Sequence, residues 1–210
     1  MIFPNRKEAG ILLTRVLKDY KNKDAVVYAL PRGGVPVGRE IAKALKIPLD
    51  LAITRKIGHP YNSEYAVCAV AEGGDLICNP LEESELDSAW LKREEKIAQK
   101  EILRRKKKYL GEREHLSPEG KIAIIVDDGV ATGLTLKAAL HNLKAQKPKE
   151  LVVAVPTIPQ NTALELENEG YNVVALLEDP QFLGAVGAYY TDFRQVSDAE
   201  VVASLLDQKR

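Results

Sequence analysis

Two rhythms of apolar residues alternate along the chain. Short apolar runs, at Ala25 to Leu30, Leu49 to Ile53, Ile122 to Val126, Leu151 to Val155 and Asn172 to Leu177, have the length and composition of strands buried on both faces. Between them the apolar positions recur at helical spacing. Asn5 can cap a first helix with Ala9, Leu12, Leu13, Val16 and Leu17 on one face. Val35 to Leu45, a helix opening at Leu136 and ending near Lys147-Pro148, and Gln160 to Glu169 follow. Strands alternating with helices predict an α/β fold with a mostly parallel sheet flanked by helices. Ligands of such sheets bind beyond the C-terminal ends of the strands, which puts the loops at Pro31, Arg55 and Asp127 on one rim.

The alternation breaks after the second strand. Gly58 to Ser63 reads as a loop by composition, and Ala66 to Ala71, the turn Glu72-Gly73-Gly74-Asp75 and Leu76 to Cys78 read as a hairpin. A long charged helix follows, from about Glu82 to Tyr109. Its basic residues Lys92, Arg93, Lys96, Lys100 and Arg104 to Lys108 are interleaved with Glu94, Glu95 and Glu101. A run of this kind reads first as a solvated face with i,i+4 pairs, and second as an oligomer arm or an RNA-binding face. The C-terminal tail carries an aromatic cluster and then a helix capped by Ser197 that includes Val201 and Leu205.

Composition adds bounds. A chain of 210 residues with 45% hydrophobic content is ample for the core of one domain. Its 30 basic and 30 acidic side chains cancel, so no global field draws it to nucleic acid or a membrane. No segment is long and apolar enough to span a bilayer, and Met1 to Arg6 lacks a signal-peptide core. Cys68 and Cys78 lack metal-ligand spacing. They could meet in a hairpin, but two cysteines make no disulfide framework, and a reducing cytoplasm is the expected compartment.

Two segments carry chemistry. In Lys121 to Thr135 a buried strand ends in Asp127-Asp128, passes through a turn rich in Gly and Thr, and enters a helix. Free N–H groups and the positive end of the helix dipole suit a phosphate, with Thr132 and Thr135 adding hydroxyl donors. Asp127 and Asp128 can accept hydrogen bonds from ribose hydroxyls, directly or through magnesium. The competing reading is a strand-to-helix turn with the Asp pair as a cap. In Leu30-Pro31-Arg32-Gly33-Gly34-Val35-Pro36, two glycines let backbone N–H groups approach an anion, and Arg32 adds a guanidinium. Alone, that turn reads equally well as a helix entry with a surface arginine.

The strand, acidic pair and Thr-Gly-x-Thr turn resemble the phosphoribosyl-pyrophosphate (PRPP) signature of type I phosphoribosyltransferases. Leu30 to Val37, Thr54 to Gly58, Ala69 to Gly74, Val126 to Gly133 and Gly184 to Asp198 extend the resemblance nearly end to end, to the branch called "predicted phosphoribosyltransferases". The branch name leaves the acceptor open. The resemblance implies one domain with a core at about 20–72 and 120–180, an insertion at about 73–119 and a C-terminal hood at about 180–210. It implies that Asp127 and Asp128 face the ribose and, through it or water, a magnesium ion, and that Ala131, Thr132, Gly133, Leu134 and Thr135 wrap the 5′-phosphate. Pro31, Arg32, Gly33 and Gly34 would bind pyrophosphate through a loop with a non-proline cis or strained peptide at Pro31–Arg32 or Arg32–Gly33. Arg55 and Lys56 would stabilise the departing charge. Gly58 to Tyr65 and Glu72-Gly73-Gly74 would form a closing lid, with His59 more simply a solvated loop histidine.

For the acceptor, Phe182 and Tyr190 are the candidate stacking rings, against the plainer reading that the aromatics glue the tail to the sheet. Enzymes for 6-oxopurines carry an aspartate where this chain has Ala131, and a lysine in the strand that here reads Val152 to Pro156. Hypoxanthine and guanine are therefore poor candidates. The implied activity is phosphoribosyl transfer from PRPP, with Mg2+, to a small-molecule nitrogenous acceptor in the cytoplasm. The alternative is a non-catalytic sensor of PRPP or a nucleotide. No membrane or nucleic-acid partner is expected, and a homo-oligomer is left open.

Overall fold

The computed structural model describes residues 1–207. In chain order it contains α1 (Arg6–Val16), β1 (Ala25–Ala29), α2 (Gly34–Leu45), β2 (Leu49–Leu51), β3 (Thr54–His59), β4 (Asn62–Ala71), β5 (Leu76–Cys78), α3 (Pro80–Glu83) and α4 (Ser88–Leu110). There follow β6 (Ile122–Val126), α5 (Leu134–Ala145), β7 (Glu150–Pro159), α6 (Gln160–Asn168), β8 (Asn172–Asp179) and α7 (Asp198–Leu206). Five strands form a parallel sheet in the order β2-β1-β6-β7-β8.

The apolar runs are continuous because helices cover both faces of this sheet. Along β1, Ala25, Val27 and Ala29 face a core shared with Leu13, Ile41 and Val201 of α1, α2 and α7. Val26 and Tyr28 face the opposite core, with Leu136 and Leu140 of α5 and Leu166 of α6. β6 divides in the same way, Ile124 and Val126 to one side and Ala123 and Ile125 to the other. The caps agree with the sequence. Asn5 accepts the Glu8 N–H at 2.9 Å, and Ser197 and Glu200 form a reciprocal capping box on α7.

β3, β4 and β5 form a separate antiparallel sheet. This sheet starts at Thr54, inside the stretch read from sequence as core, so the second unit begins earlier than the expected boundary near 73. The Gly58 to Ser63 segment, expected as a loop, is mostly strand, with a register shift at Gly58 that absorbs its irregular composition. Cys68 and Cys78 are direct partners across β4 and β5 and are joined by a disulfide, a correction to the expectation of reduced thiols. The single helix expected from Glu82 is two: Asn79 caps the short α3, and Asp87 starts α4 by accepting the Trp90 N–H at 2.6 Å.

α4 is not the free solvated face that its charges suggested. Ala98, Ile102, Tyr109 and Leu110 are buried in the main core. Lys106 pairs with Glu72 on the small sheet, while Lys108 and the Tyr109 hydroxyl both donate to Asp198 of α7, at 2.5 and 2.7 Å. The return to β6 is pinned by the fully buried Asp50 of β2, which accepts the N–H groups of Leu51 and Leu116 and lies 3.0 Å from His115 Nδ1. Burial alone would lower the His115 pKa, but the Asp50 carboxylate outweighs it and raises it. Among the described residues no helix is long and apolar enough to cross a membrane.

The Lys108 and Tyr109 hydrogen bonds depress the Asp198 carboxyl to about 2. An unfolded aspartate titrates near 3.9, so the stabilisation is complete above about pH 4 and is lost as pH falls through about 2. Asp198→Asn is expected to lower the melting temperature by a few degrees at neutral pH. The gap to the native chain should close as melts are repeated down to about pH 2. A gap that widens in acid would contradict this assignment.

Candidate active site

A cleft of about 580 Å³ opens at the C-terminal rim of β1 and β6, between the parallel sheet, the edge of β3 and the flank of α4. Three strand ends bring sequence-predicted residues to it: Pro31 after β1, Arg55 and Lys56 in β3, and Asp127 after β6, joined by Thr135 from the first turn of α5. Arg55 lies 3.7 Å from Glu101 of α4, and Lys56 is exposed. Of the two expected lid parts, Gly58, His59, Pro60 and Ser63 line the cleft, whereas Glu72 is held away from it by Lys106.

The loop after β1 is shaped by what lies beneath it. The Pro31–Arg32 peptide is cis. A Cβ on Gly33 would stand 2.1 Å from Asp128 Oδ2, and one on Gly34 would stand 2.6 Å from the Val126 carbonyl oxygen. Only glycine lets this loop cross the acidic pair at such range. The Leu30 and Gly34 N–H groups go to the Val126 and Leu30 carbonyls at 2.8 and 3.0 Å. Among the described residues, no carbonyl takes those of Arg32 and Gly33. Arg32 itself turns toward Asp198, 3.8 Å away.

The acidic pair is split. Of the two carboxylates expected to face the ribose, Asp127 lines the cleft and Asp128 does not. Asp128 is buried and held by Arg6, whose Nε donates to its Oδ2 at 2.7 Å. The same guanidinium donates to the Arg194 carbonyl at 2.7 Å and lies over the Phe193 ring, 3.8 Å from its centroid. The Tyr190 hydroxyl donates to the Asp128 carbonyl at 2.5 Å. Asp127 accepts the neighbouring Asp128 N–H at 2.8 Å. Burial, and then the adjacent Asp128 charge, push its carboxyl well above the usual range.

Around the turn, Gly133 sits at φ 75° and offers no side-chain cap, and the first helical bond of α5 runs from the Lys137 N–H to the Gly133 carbonyl at 2.8 Å. The N–H groups of Leu134, Thr135 and Leu136 precede that bond and point out of the helix end, a ready anion site. Ala131 and Thr132 are exposed, and Gly133 is buried beneath the turn. The turn faces two ways: Thr135 lines the main cleft, while Thr132 and Leu134 line a second cavity of about 490 Å³ with Lys137 and His141.

Two expected site residues are elsewhere. Tyr190 stacks on Phe193 with centroids 5.0 Å apart and also meets Phe3, at 5.5 Å, in a pairing of the two chain ends. Phe182 stacks on Tyr189 at 5.3 Å. Both rings anchor the tail, and neither lines the cleft. Trp90 does line it, on a face of α4 that also contributes Glu94, Ala98 and Arg105. Sequence reasoning missed these four because it read the helix by its charges. A tryptophan four residues before Glu94 and eight before Ala98 was the available signal.

Among the described residues, no cluster of three or more His, Cys, Asp or Glu could hold a metal ion. Asp127, as the carboxylate at the strand rim, suits a hydrated divalent ion carried by a phosphorylated substrate rather than a caged metal.

A family model described as "Phosphoribosyl transferase domain" matches residues 5–191. Two Mycobacterium tuberculosis proteins, named "Putative phosphoribosyl transferase MT0597" and "Putative phosphoribosyl transferase Rv0571c", are each 39% identical over 206 residues. The match covers 97% of this chain and 46% of theirs, so the chain spans less than half the length of these curated relatives. The crystal structure of TT1426 from Thermus thermophilus superposes with a TM-score of 0.82 at 39% identity, covering 99% of each chain. With the matched segment running from the cap of α1 through the PRPP-type turn to the aromatic tail, the chain belongs to the phosphoribosyl transferase domain family.

Proposed function

We propose that the chain transfers phosphoribose from PRPP, with Mg2+, to a small nitrogenous acceptor and releases pyrophosphate. The observation that carries this reading is the convergence of Pro31, Arg55, Lys56, Asp127 and Thr135 on one cleft from four separate elements. An acceptor nitrogen forms a bond to ribose C1 while the C1–O bond to pyrophosphate breaks. The bonding pair leaves with pyrophosphate, and the nitrogen gives up a proton.

Each part of that step has a residue to serve it. The N–H groups opening α5 and the Thr135 hydroxyl hold the 5′-phosphate, with the exposed Ala131 and Thr132 at its outer side. The Arg32 and Gly33 N–H groups and the Arg55 and Lys56 side chains receive the pyrophosphate, whose charge grows as the bond breaks. Asp127 would hold the ribose hydroxyls and the hydration shell of a magnesium ion, which supplies charge to the leaving group when bound. Asp128, paired with Arg6 and lying directly beneath Gly33, supports the loop rather than touching ribose. The β3–β4 hairpin stands over the cleft where it limits access of water.

The test is pyrophosphate release with PRPP, magnesium and a panel of bases and amines. Before an acceptor is known, PRPP with magnesium at a hundred times its dissociation constant is expected to stabilise the protein by about 2.7 kcal/mol in thermal melts. No response to PRPP or to ribose 5-phosphate would refute the reading.

Asp127 allows a two-sided test. Its raised pKa means that the fold favours the protonated carboxyl, a stabilisation present below about pH 4 and lost as pH rises through the raised value. Asp127→Asn should therefore melt a few degrees higher than the native chain near neutral pH and about equally in acid, while binding PRPP with magnesium at least tenfold more weakly. A variant less stable at neutral pH would count against this account.

Arg55→Ala and Lys56→Ala are expected to lower single-turnover rates more than PRPP affinity, because pyrophosphate carries more charge at the transition state than in PRPP. Thr135→Val should mainly weaken binding, since the 5′-phosphate contact persists throughout. Equal losses of rate and affinity for both cations would assign them to ground-state binding.

A further inference from the structure

We infer that Trp90 and Glu94 of α4 form the acceptor subsite, and that this subsite takes a planar heterocycle presenting an exocyclic amino group. The inference rests on the transferase reading for calling the occupant an acceptor. The site itself rests on the geometry of α4.

Trp90, Glu94 and Ala98 recur every fourth residue, so they share one face of the helix, and all three line the cleft that also contains Asp127 and Thr135. Trp90 is half-buried. It packs against the main core and lines the cleft, as a stacking platform must. Ala98 is buried and small, which leaves depth beside the indole. Phe182 and Tyr190, the rings that sequence favoured for stacking, are occupied at the tail, so Trp90 is the aromatic ring of Phe, Tyr or Trp type that this cleft offers among the described residues.

Glu94 supplies the chemistry. Its helix neighbours are used: Glu95 accepts from Gln99 at 3.0 Å, and Glu101 accepts from Arg104 and Arg105 at 2.6 and 2.8 Å. Glu94 lines the cleft with no ion pair or hydrogen bond among the described residues. An ionised carboxylate only accepts hydrogen bonds, so the edge it recognises must carry N–H donors. An amino substituent beside a ring nitrogen meets that need. A carbonyl in its place would set one acceptor against another and leave the carboxylate unpaired.

Charge along the helix sets the orientation. Arg105 lies eleven residues beyond Glu94, about 16 Å along the axis at 1.5 Å per residue, and it too lines the cleft. The cationic end suits the phosphates, and the Trp90–Glu94 end suits a neutral or cationic ring.

Trp90 is the single tryptophan of the chain, so its emission reports directly on stacking. The full-length protein is titrated with adenine and cytosine, and with their oxo counterparts hypoxanthine and uracil, excited where tyrosine does not absorb. Calorimetry runs in parallel, and PRPP binding is measured separately by thermal shift. The expected result is saturable quenching by at least one amino base, at least tenfold tighter than its oxo counterpart. Glu94→Ala should remove that preference by weakening the amino base alone, and Trp90→Leu should weaken both classes in calorimetry. Both variants should keep the PRPP response, which verifies that they fold. Equal affinity for amino and oxo bases, an unchanged preference in Glu94→Ala, or PRPP binding without a response to any base would overturn the subsite. A protein that binds amino bases through Trp90 and Glu94 but ignores PRPP would uphold the subsite and remove the transferase reading.

Discussion

The pair between Arg6 and Asp128 is the constraint on which the site depends. It joins the first residue of α1 to the acidic pair after β6, and both side chains are nearly withdrawn from water. A charge so placed is costly unless fully engaged, and removing one partner of a buried pair typically costs about 3–5 kcal/mol. Here the engagement is complete. The guanidinium also donates to the Arg194 carbonyl and covers Phe193, while Tyr190 binds the carbonyl of Asp128 itself. Four segments far apart in sequence meet around this pair: α1, the loop over Gly33, the turn after β6 and the aromatic tail. The two chain ends are bridged at Phe3 and Tyr190, so neither can leave without uncovering that charge.

The division of labour within Asp127-Asp128 follows from that pair. Because Arg6 neutralises Asp128, the fold tolerates a second carboxylate directly beside it, and that one is left without a cation. Its raised pKa records the cost, with burial first and the neighbouring charge second. Sites that hold a polar substrate commonly carry such an unsatisfied group, which stabilises the complex rather than the empty fold. Asp128 is committed to structure, and on the proposed reading Asp127 is the one left for the ligand.

What the sequence disclosed and what it hid divide by the range of the interactions. The β6 run, the acidic pair and the Thr-Gly-x-Thr turn are local, set by strand burial and by the N–H groups of one helix end, and they stand where the pattern placed them. The parallel sheet itself also follows from the alternation of strands and helices, whereas its strand order and the passage of Gly33 over Asp128 emerge only in three dimensions. Arg6 was invisible because its partner is 122 residues away and nothing near Asn5 asks for a cation. Tyr190 looked available to a ligand because its partners Phe3 and Phe193 meet it only through pairing of the chain ends. Gly58 to Ser63 has loop composition yet is strand on either side of the Pro60-Tyr61 turn, because an antiparallel hairpin accepts a register shift that a central parallel strand would not. α4 was misjudged for a different reason. A face that lines a cleft carries polar residues just as a face toward water does, so charge alone does not distinguish them.

That last point reaches beyond one helix. Around the cleft the fold ties several charges into its walls, and even the cleft-lining Arg55 and Arg105 are steadied by Glu101. Lys106 goes to Glu72, Lys108 to Asp198 and Asp128 to Arg6, each tie holding a wall in place. Asp127 and Glu94 line the cleft without a cation, and among the described residues the Arg32 and Gly33 N–H groups have no carbonyl partner. Polar groups left without a protein partner cost the empty fold some stability. A ligand with phosphates at one end and N–H donors at the other would engage all of them at once. The walls need to be rigid for that match to have value, because positioning contributes to rate only when the bound geometry is held near that of reaction. The ion pairs on the outer walls and the open groups within are therefore parts of a single arrangement, with the Arg6–Asp128 pair where the two meet.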